Sequence, residues 1–235
     1  MSGPGRATRR VCIAARFAGP PGVANGGFLA GTLAGAGPAE VTIRRPVPVE
    51  TELEFDGAEL REVDAAGGAA AAPGGGAAPL ASLAPLDAVD VGDLPAVSLD
   101  DARAAGAATP LAAHHPFPGC FGCGPDHPDG LHCLPGEAGG GVWAVAWTAR
   151  ETDAPFVWSA LDCSSCGPVV PARGGRPHVL GRIAAEVREE VRPAEPHVVV
   201  SWALGAEGRR KHSASAILGP RGDAVAVARA TWFAL

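Results

Sequence analysis

The chain has 235 residues, 47% of them hydrophobic, which is enough for one large domain or two small ones with a real core. A formal net charge of −6 argues against a nucleic-acid partner, because phosphate binding needs a basic surface. No run approaches the roughly 20 uninterrupted apolar residues of a membrane helix, and the basic start, MSGPGRATRRVCIAARF, lacks an apolar core and a cleavage site. A cytoplasmic protein with no membrane partner is expected.

In chain order, the first distinctive stretch is NGGFLAGTLAGAG, Asn25 to Gly37. A polar residue and two glycines open a run without any charge, as a capped and buried short helix would. From Val41 to Phe55, apolar and polar residues alternate with period two, broken at Pro46 and Pro48, which predicts a bent strand. ELREVDAAG continues as a strand, and the Ala/Gly-rich stretch at about 65–79 is read as a flexible loop. A short helix is expected over Ser98 to Ala105, with Ser98 as N-cap and Asp101 in the first turn. The turn-rich segment from His114, HHPFPGCFGCGPDHPDGLH, marks a boundary. Beyond it, GVWAVAWTAR predicts a strand and Phe156 to Cys166 a short helix. Four strand-like segments separated by turns complete the chain, and Arg221-Gly222-Asp223 sits in one of the turns. Each half thus offers a short apolar helix, a proline-bent strand and further strands, which suggests an internal duplication with halves 1–112 and 113–235.

Two stretches carry the chemistry. Asn25-Gly26-Gly27 opens the first helix, where the leading N–H groups have no intrahelical partner and the helix dipole is positive. Glycine there lets a substrate approach the backbone closely. The second stretch, FVWSALDCSSCG, is apolar but for one carboxylate, Asp162. Its neighbours Trp158, Leu161 and Cys163 favour burial and a raised pKa. Asp162 is read either as a base or nucleophile or as a hydrogen-bonded support of the fold. Ser164, beside it, is a candidate for holding water or an acyl group. The basic run GRRKHS, with Arg209, Arg210 and Lys211, suits an anionic ligand, as does Arg182.

Six cysteines form two C-x-x-C pairs, Cys120/Cys123 and Cys163/Cys166, plus Cys12 and Cys133. The pairs have the spacing of zinc ligands. Each pair, however, lies in a segment with another explanation, so buried structural thiols and no metal are expected.

The order of FAGPPGVANGGFLAGTLA, VTIRRPVPVETEL, CFGCGPDHPDGL, PFVWSALDC, VLGRIAAEV and GRRKHSASAILGPRGDAVAVARATW resembles the tandem (double) hotdog thioesterase-like proteins of actinobacteria. The resemblance spans about Arg16 to Trp232. It implies an α+β double hotdog, with two antiparallel sheets each wrapped around a central helix and paired within one chain. It also implies an acyl-CoA or acyl-carrier thioester as substrate, bound between the halves, and no cofactor. A glycine N–H at one helix start would polarise the thioester carbonyl, and a carboxylate on the opposite helix would act on it. In many relatives a histidine precedes the Gly-Gly; Asn25 departs from that pattern.

Related single-domain enzymes place the carboxylate about two helical turns beyond the glycine. Eight residues after Gly26 is Ala34, and eight before Asp162 is Ala154, followed by Pro155. One half has the donors, the other the carboxylate, so one complete site is expected, pairing Gly26 or Gly27 with Asp162. Asn25, Phe28 and Trp158 are expected to line it together with Ser164, Arg182, Arg209, Arg210 and Lys211. Two other readings use the same pocket: an acyl-thioester binding protein without chemistry, and a hydratase or dehydratase. The second is disfavoured because neither helix carries a histidine. A dimer of chains is the expected assembly.

Overall fold

The computed structural model describes residues 8–63, 78–170 and 176–235. The Ala/Gly-rich stretch lies almost entirely outside them. Among the described residues, eleven strands form one antiparallel sheet, and three α-helices pack on it. The first half runs β1 (Arg9–Val11), α1 (Gly26–Ala34), β2 (Ala39–Ile43), β3 (Leu53–Phe55), β4 (Glu59–Glu62) and β5 (Ala81–Pro85). After α2 (Leu99–Ala107) and the short β6 (Gly136–Gly139), the second half repeats the pattern. It comprises β7 (Val142–Thr148), α3 (Ala154–Ser165), β8 (His178–Val187), β9 (Pro196–Glu207), β10 (Arg210–Leu218) and β11 (Ala224–Ala234).

The spatial order is β1-β3-β4-β5-β2, then β8-β11-β10-β9-β7, with β6 outermost. Read from each outer strand inwards, both halves run first, third, fourth, fifth, second, with the helix inserted after the first strand. The weak rhythm in the sequence therefore corresponds to a repeated topology. The expected pair of sheets is one continuous sheet, because β2 and β8 pair antiparallel, with Val41 opposite Ile183. Each would otherwise be an open edge with unpaired backbone groups.

The single bent strand expected over Val41 to Phe55 is two strands with different partners: β2 joins β5 and β8, β3 joins β1 and β4. The two prolines between them lack N–H groups for a ladder, and Glu50 takes a positive φ of 54°, so extension cannot continue. The helix capped by Ser98 forms as expected, with the Ser98 hydroxyl accepting from the Asp101 N–H at 3.1 Å.

The two faces of the second half are covered differently. On one face, Val145, Val199, Ile217, Ala226 and Ala228 join α1 and α3 in the main core. On the other, Ala144, Val198, Val200, Ala214 and Ala216 pack beneath Val89, Val91 and Ala102, contributed by α2 and the segment before it. Although α2 precedes residue 112, it sits on β6, β7 and β9. At Gly136 the fit is tight: an added Cβ would lie 1.8 Å from the Ala105 carbonyl oxygen. Gly136→Ala is therefore expected to push α2 off the sheet and lower Tm by several degrees in a thermal melt, a cost of about 1–3 kcal/mol.

α3 approaches its strands closely because the residues beneath it are small. Serine hydroxyls on the sheet meet its last-turn carbonyls: Ser215 donates to Leu161 O at 2.9 Å, and Ser201 to Ser164 O at 2.7 Å. No helix among the described residues is long and apolar enough to cross a membrane.

Candidate active site

The two main-core helices meet at their glycines. An added Cβ on Gly27 would lie 2.5 Å from Trp158 O and 2.6 Å from Asp162 Cβ, and on Gly31 2.6 Å from Ala154 O. Glycine one helical turn apart on α1 thus lets α3 lie against its backbone. That approach delivers Asp162, on the last turns of α3, to the start of α1.

There, the Gly27 N–H donates to Asp162 Oδ2 at 2.8 Å. The leading N–H of a helix is a natural anion site, so here the helix start holds the protein's own carboxylate. The other oxygen, Oδ1, is buried with no hydrogen-bond partner among the described residues. Asp162 is only 2% exposed, and burial pushes its pKa up to about 8, with the Gly27 N–H pulling the other way and the negative charge of Cys120 adding to the rise. Such a group is a base whose ionisation falls close to neutral pH.

Asn25 caps α1 as the sequence predicts, its Oδ1 accepting from the Phe28 N–H at 2.9 Å and from the Ser159 hydroxyl at 2.9 Å. Its Nδ2 points at the sulfurs of Cys163, 3.4 Å away, and Cys120, 3.7 Å away.

A cavity of about 500 Å³ opens onto this junction. Asn25, Gly26 and Asp162 form part of its wall, and Val23, Leu29, Ile43, Leu134, Leu180 and Trp232 make it apolar. Its size and its few polar groups are those of a small-molecule site. The Gly26 N–H has no hydrogen-bond partner among the described residues and lies at the same wall. With Gly27 committed to Asp162, Gly26 is the leading N–H of α1 left without a partner among the described residues.

Several residues expected at the site stand elsewhere. Phe28 stacks on Phe17 with ring centroids 3.9 Å apart and meets Phe121 and Phe156 edge-on, so it belongs to an aromatic core cluster. Trp158 and Ser164 are fully buried and do not reach the cavity. Arg182 pairs with Glu40 at 3.5 Å, outside the cavity wall. Arg209 and Arg210 lie on the exposed β9–β10 hairpin, and Lys211 donates to Val169 O at 2.5 Å. In each case the sequence pattern is met by packing or by a hairpin end, the ordinary fate of apolar helix residues and turn cations.

The basic groups that do line the cavity are Arg44 and Arg45, just beyond β2, with His114, His115 and His178. Arg44 is exposed and donates to the Ser82 hydroxyl at 3.2 Å. The RRP that breaks the strand pattern was the available signal for them. A further grouping joins segments far apart in sequence: Cys120, Cys123 and Cys163 have their sulfurs within 4.8 Å of one another, all buried. Cys166, the second member of the other C-x-x-C pair, lines the cavity but is not part of that group.

No protein-family model matches the sequence, and no curated protein matches it. Solved structures do. The tesB protein of Mycobacterium avium subsp. paratuberculosis superposes with a TM-score of 0.59 at 12% identity, covering 100% of this chain and 95% of that one. The acyl-CoA thioesterase II TesB2 of Mycobacterium marinum gives 0.51 at 13% identity, covering 97% and 93%. At such identities the likeness is one of fold, and over essentially its whole length the chain has the double-hotdog fold of the TesB-type acyl-CoA thioesterase II proteins.

Proposed function

We propose that this chain hydrolyses an acyl-CoA or related acyl thioester at one site between two hotdog halves, residues 1–112 and 113–235. The observation that carries the reading is Asp162: one carboxylate oxygen is held by the Gly27 N–H of the opposite helix, the other is buried without a hydrogen-bond partner among the described residues, and the residue belongs to the wall of an apolar cavity. The acyl chain occupies the apolar part of the cavity. Asp162 Oδ1 takes a proton from water, whose oxygen attacks the thioester carbonyl carbon. The Gly26 N–H, at the positive end of α1, stabilises the oxyanion. Collapse breaks the C–S bond, and the proton passes from Asp162 to the departing thiolate, leaving a carboxylic acid and a thiol.

A single site is supported by what occupies the mirror positions. Gly31 of α1 lies against Pro155 of α3, with an added Cβ 2.7 Å from the Pro155 Cα, as Gly27 lies against Ser159. In that relation Pro155 corresponds to Gly27 and Ala34 to Asp162. Proline has no N–H and alanine no carboxylate, so the second combination is chemically empty.

The test is release of free thiol from a panel of acyl-CoAs differing in chain length, with binding followed in parallel by calorimetry. Turnover of at least one member is expected. Binding without turnover on every member would replace the hydrolase with an acyl-thioester binding protein.

Arg44 stands where the cavity meets solvent and suits the phosphates of CoA. Arg44→Ala is expected to raise KM for acyl-CoA about tenfold with kcat little changed, the signature of lost uniform binding, measured by steady-state kinetics.

A further inference from the structure

The cysteines that the hydrolytic reading does not use are arranged around a point. Cys120 Sγ lies 3.7 Å from Cys123 Sγ and 3.9 Å from Cys163 Sγ. Thiolates placed tetrahedrally at the Zn–S distance of ~2.3 Å stand about 3.8 Å apart. Both separations from Cys120 are therefore already at the edge length of a zinc tetrahedron, and all three sulfurs lie within 4.8 Å of one another, although Cys163 comes from α3 and the other two from the loop that follows the halves' junction.

The loop is shaped for this. In Cys120-Phe121-Gly122-Cys123-Gly124, an added Cβ on Gly122 would lie 2.2 Å from Cys163 Sγ, and on Gly124 2.3 Å from Pro118 O. Only glycine at both positions lets the turn close under the third sulfur, and the Gly124 N–H closes it by donating to Cys120 O at 2.7 Å. The Cys123 thiol donates to the Cys120 sulfur, and the Cys163 sulfur stands against it from α3. Asn25 Nδ2 adds a donor to Cys120 and Cys163. N–H donors aimed at sulfur stabilise thiolate, the form that binds a metal, and orient it.

A nitrogen stands close by. His115 Nε2 is 3.3 Å from Cys123 Sγ, near the roughly 3.6 Å separation of nitrogen and sulfur on one zinc ion. Its Nδ1 accepts from the Phe117 N–H at 3.1 Å. Coordination through Nε2 puts the proton on Nδ1, so the ring would turn away from that N–H as it closes on the metal.

We propose that Cys120, Cys123 and Cys163 bind one Zn²⁺, with the fourth coordination position on the His115 side. Three soft thiolates in tetrahedral array select zinc over the oxygen-seeking cations. The ion would clip the loop to α3 one residue from Asp162 and fix the Asn25 amide that caps α1. Cys166 and Cys133 take no part.

The test needs no acyl substrate, so it stands apart from the hydrolytic reading. Chain expressed in zinc-containing medium and purified without chelator is expected to carry about one zinc per chain by elemental analysis. Co²⁺ exchanged for it should give thiolate-to-cobalt charge-transfer bands and the intense visible bands of a tetrahedral site. Cys163→Ser should lower the zinc content at least about tenfold, while Cys12→Ser, at an exposed cysteine, should leave it unchanged. Should Cys163→Ser fail to fold, the wild-type cobalt spectrum decides alone. Wild-type protein without zinc and without a thiolate–cobalt spectrum, or with Cys120 and Cys163 joined in a disulfide by mass spectrometry, overturns the proposal.

Discussion

Asp162→Asn is expected to bind acyl-CoA and scarcely to hydrolyse it. The substitution is nearly isosteric, so the packing of α3 against α1 survives. The introduced amide can still accept the Gly27 N–H through its oxygen, so the contact now made at 2.8 Å is kept. What is lost is the basic lone pair at the buried, unpartnered oxygen of a residue in the cavity wall. A positioned general base contributes about 10²–10⁴-fold, so kcat should fall by that factor while the dissociation constant measured by calorimetry moves little. The neutral side chain has no ionised form for burial to disfavour, but its Nδ2 would stand where Oδ1 now has no partner, and unsatisfied buried N–H groups cost about 1–3 kcal/mol. The variant should therefore melt within several degrees of wild type and stay folded at assay temperature. Lost turnover in a folded variant that still binds acyl-CoA assigns Asp162 to chemistry. Unchanged turnover would leave it a structural tie between helices and return the search for a base to the histidines of the cavity wall.

What the sequence could and could not disclose follows from the range of each signal. Caps, turns and periodicity are local, so α1 with its Asn25 cap, α2 with Ser98, and α3 were all legible, as was β7. Which strands adjoin was not legible: the run from Val41 to Phe55 reads as one bent strand, yet β2 and β3 lie in different parts of the sheet, and only long-range pairing decides that. At the site, counting residues along two helices brought Asp162 to the glycines of the other helix. Counting could not assign the individual N–H groups, so Gly27 and Gly26 were interchangeable until Asp162 was found on Gly27. Phe28, Trp158 and Ser164 illustrate the opposite limit. On a helix packed on all sides, apolar character does not distinguish cavity from core, and these three went to the core. The convergence of Cys163 with Cys120 and Cys123 was hidden for the same reason as the strand pairing. Two C-x-x-C spacings suggest two separate pairs, whereas the fold takes both members of one and a single member of the other.

Gly27→Ala is expected to cost more stability than any other single methyl group added to the helix interface, and to cost activity with it. Its Cβ would fall within 2.7 Å of three atoms of α3: Trp158 O, Asp162 Cβ and Ser159 Cα. Two of these are backbone, which cannot rotate aside, so α3 must retreat from α1 by about an ångström or more. Trp158, Leu161 and Leu29 are buried to within 1% at the same interface, and interiors this dense resist such a shift. Overpacking of this kind typically costs about 1–3 kcal/mol. Here the hydrogen bond between the Gly27 N–H and Asp162 is stretched as well, and losing a bond to a largely neutral buried carboxyl adds about 0.5–1.5 kcal/mol. A destabilisation of roughly 2–4 kcal/mol in a denaturant titration is the expected result. Gly31→Ala makes the informative comparison. It meets Ala154 O at 2.6 Å, an equally hard contact, but lies a helical turn from the carboxylate. It should lose only the packing share of that stability, and at temperatures where both variants remain folded it should keep more of its turnover. A Gly27 variant that matched wild type in both stability and turnover would mean that the two helices do not approach as closely as the site requires, and the pairing of Asp162 with the start of α1 would fall with them.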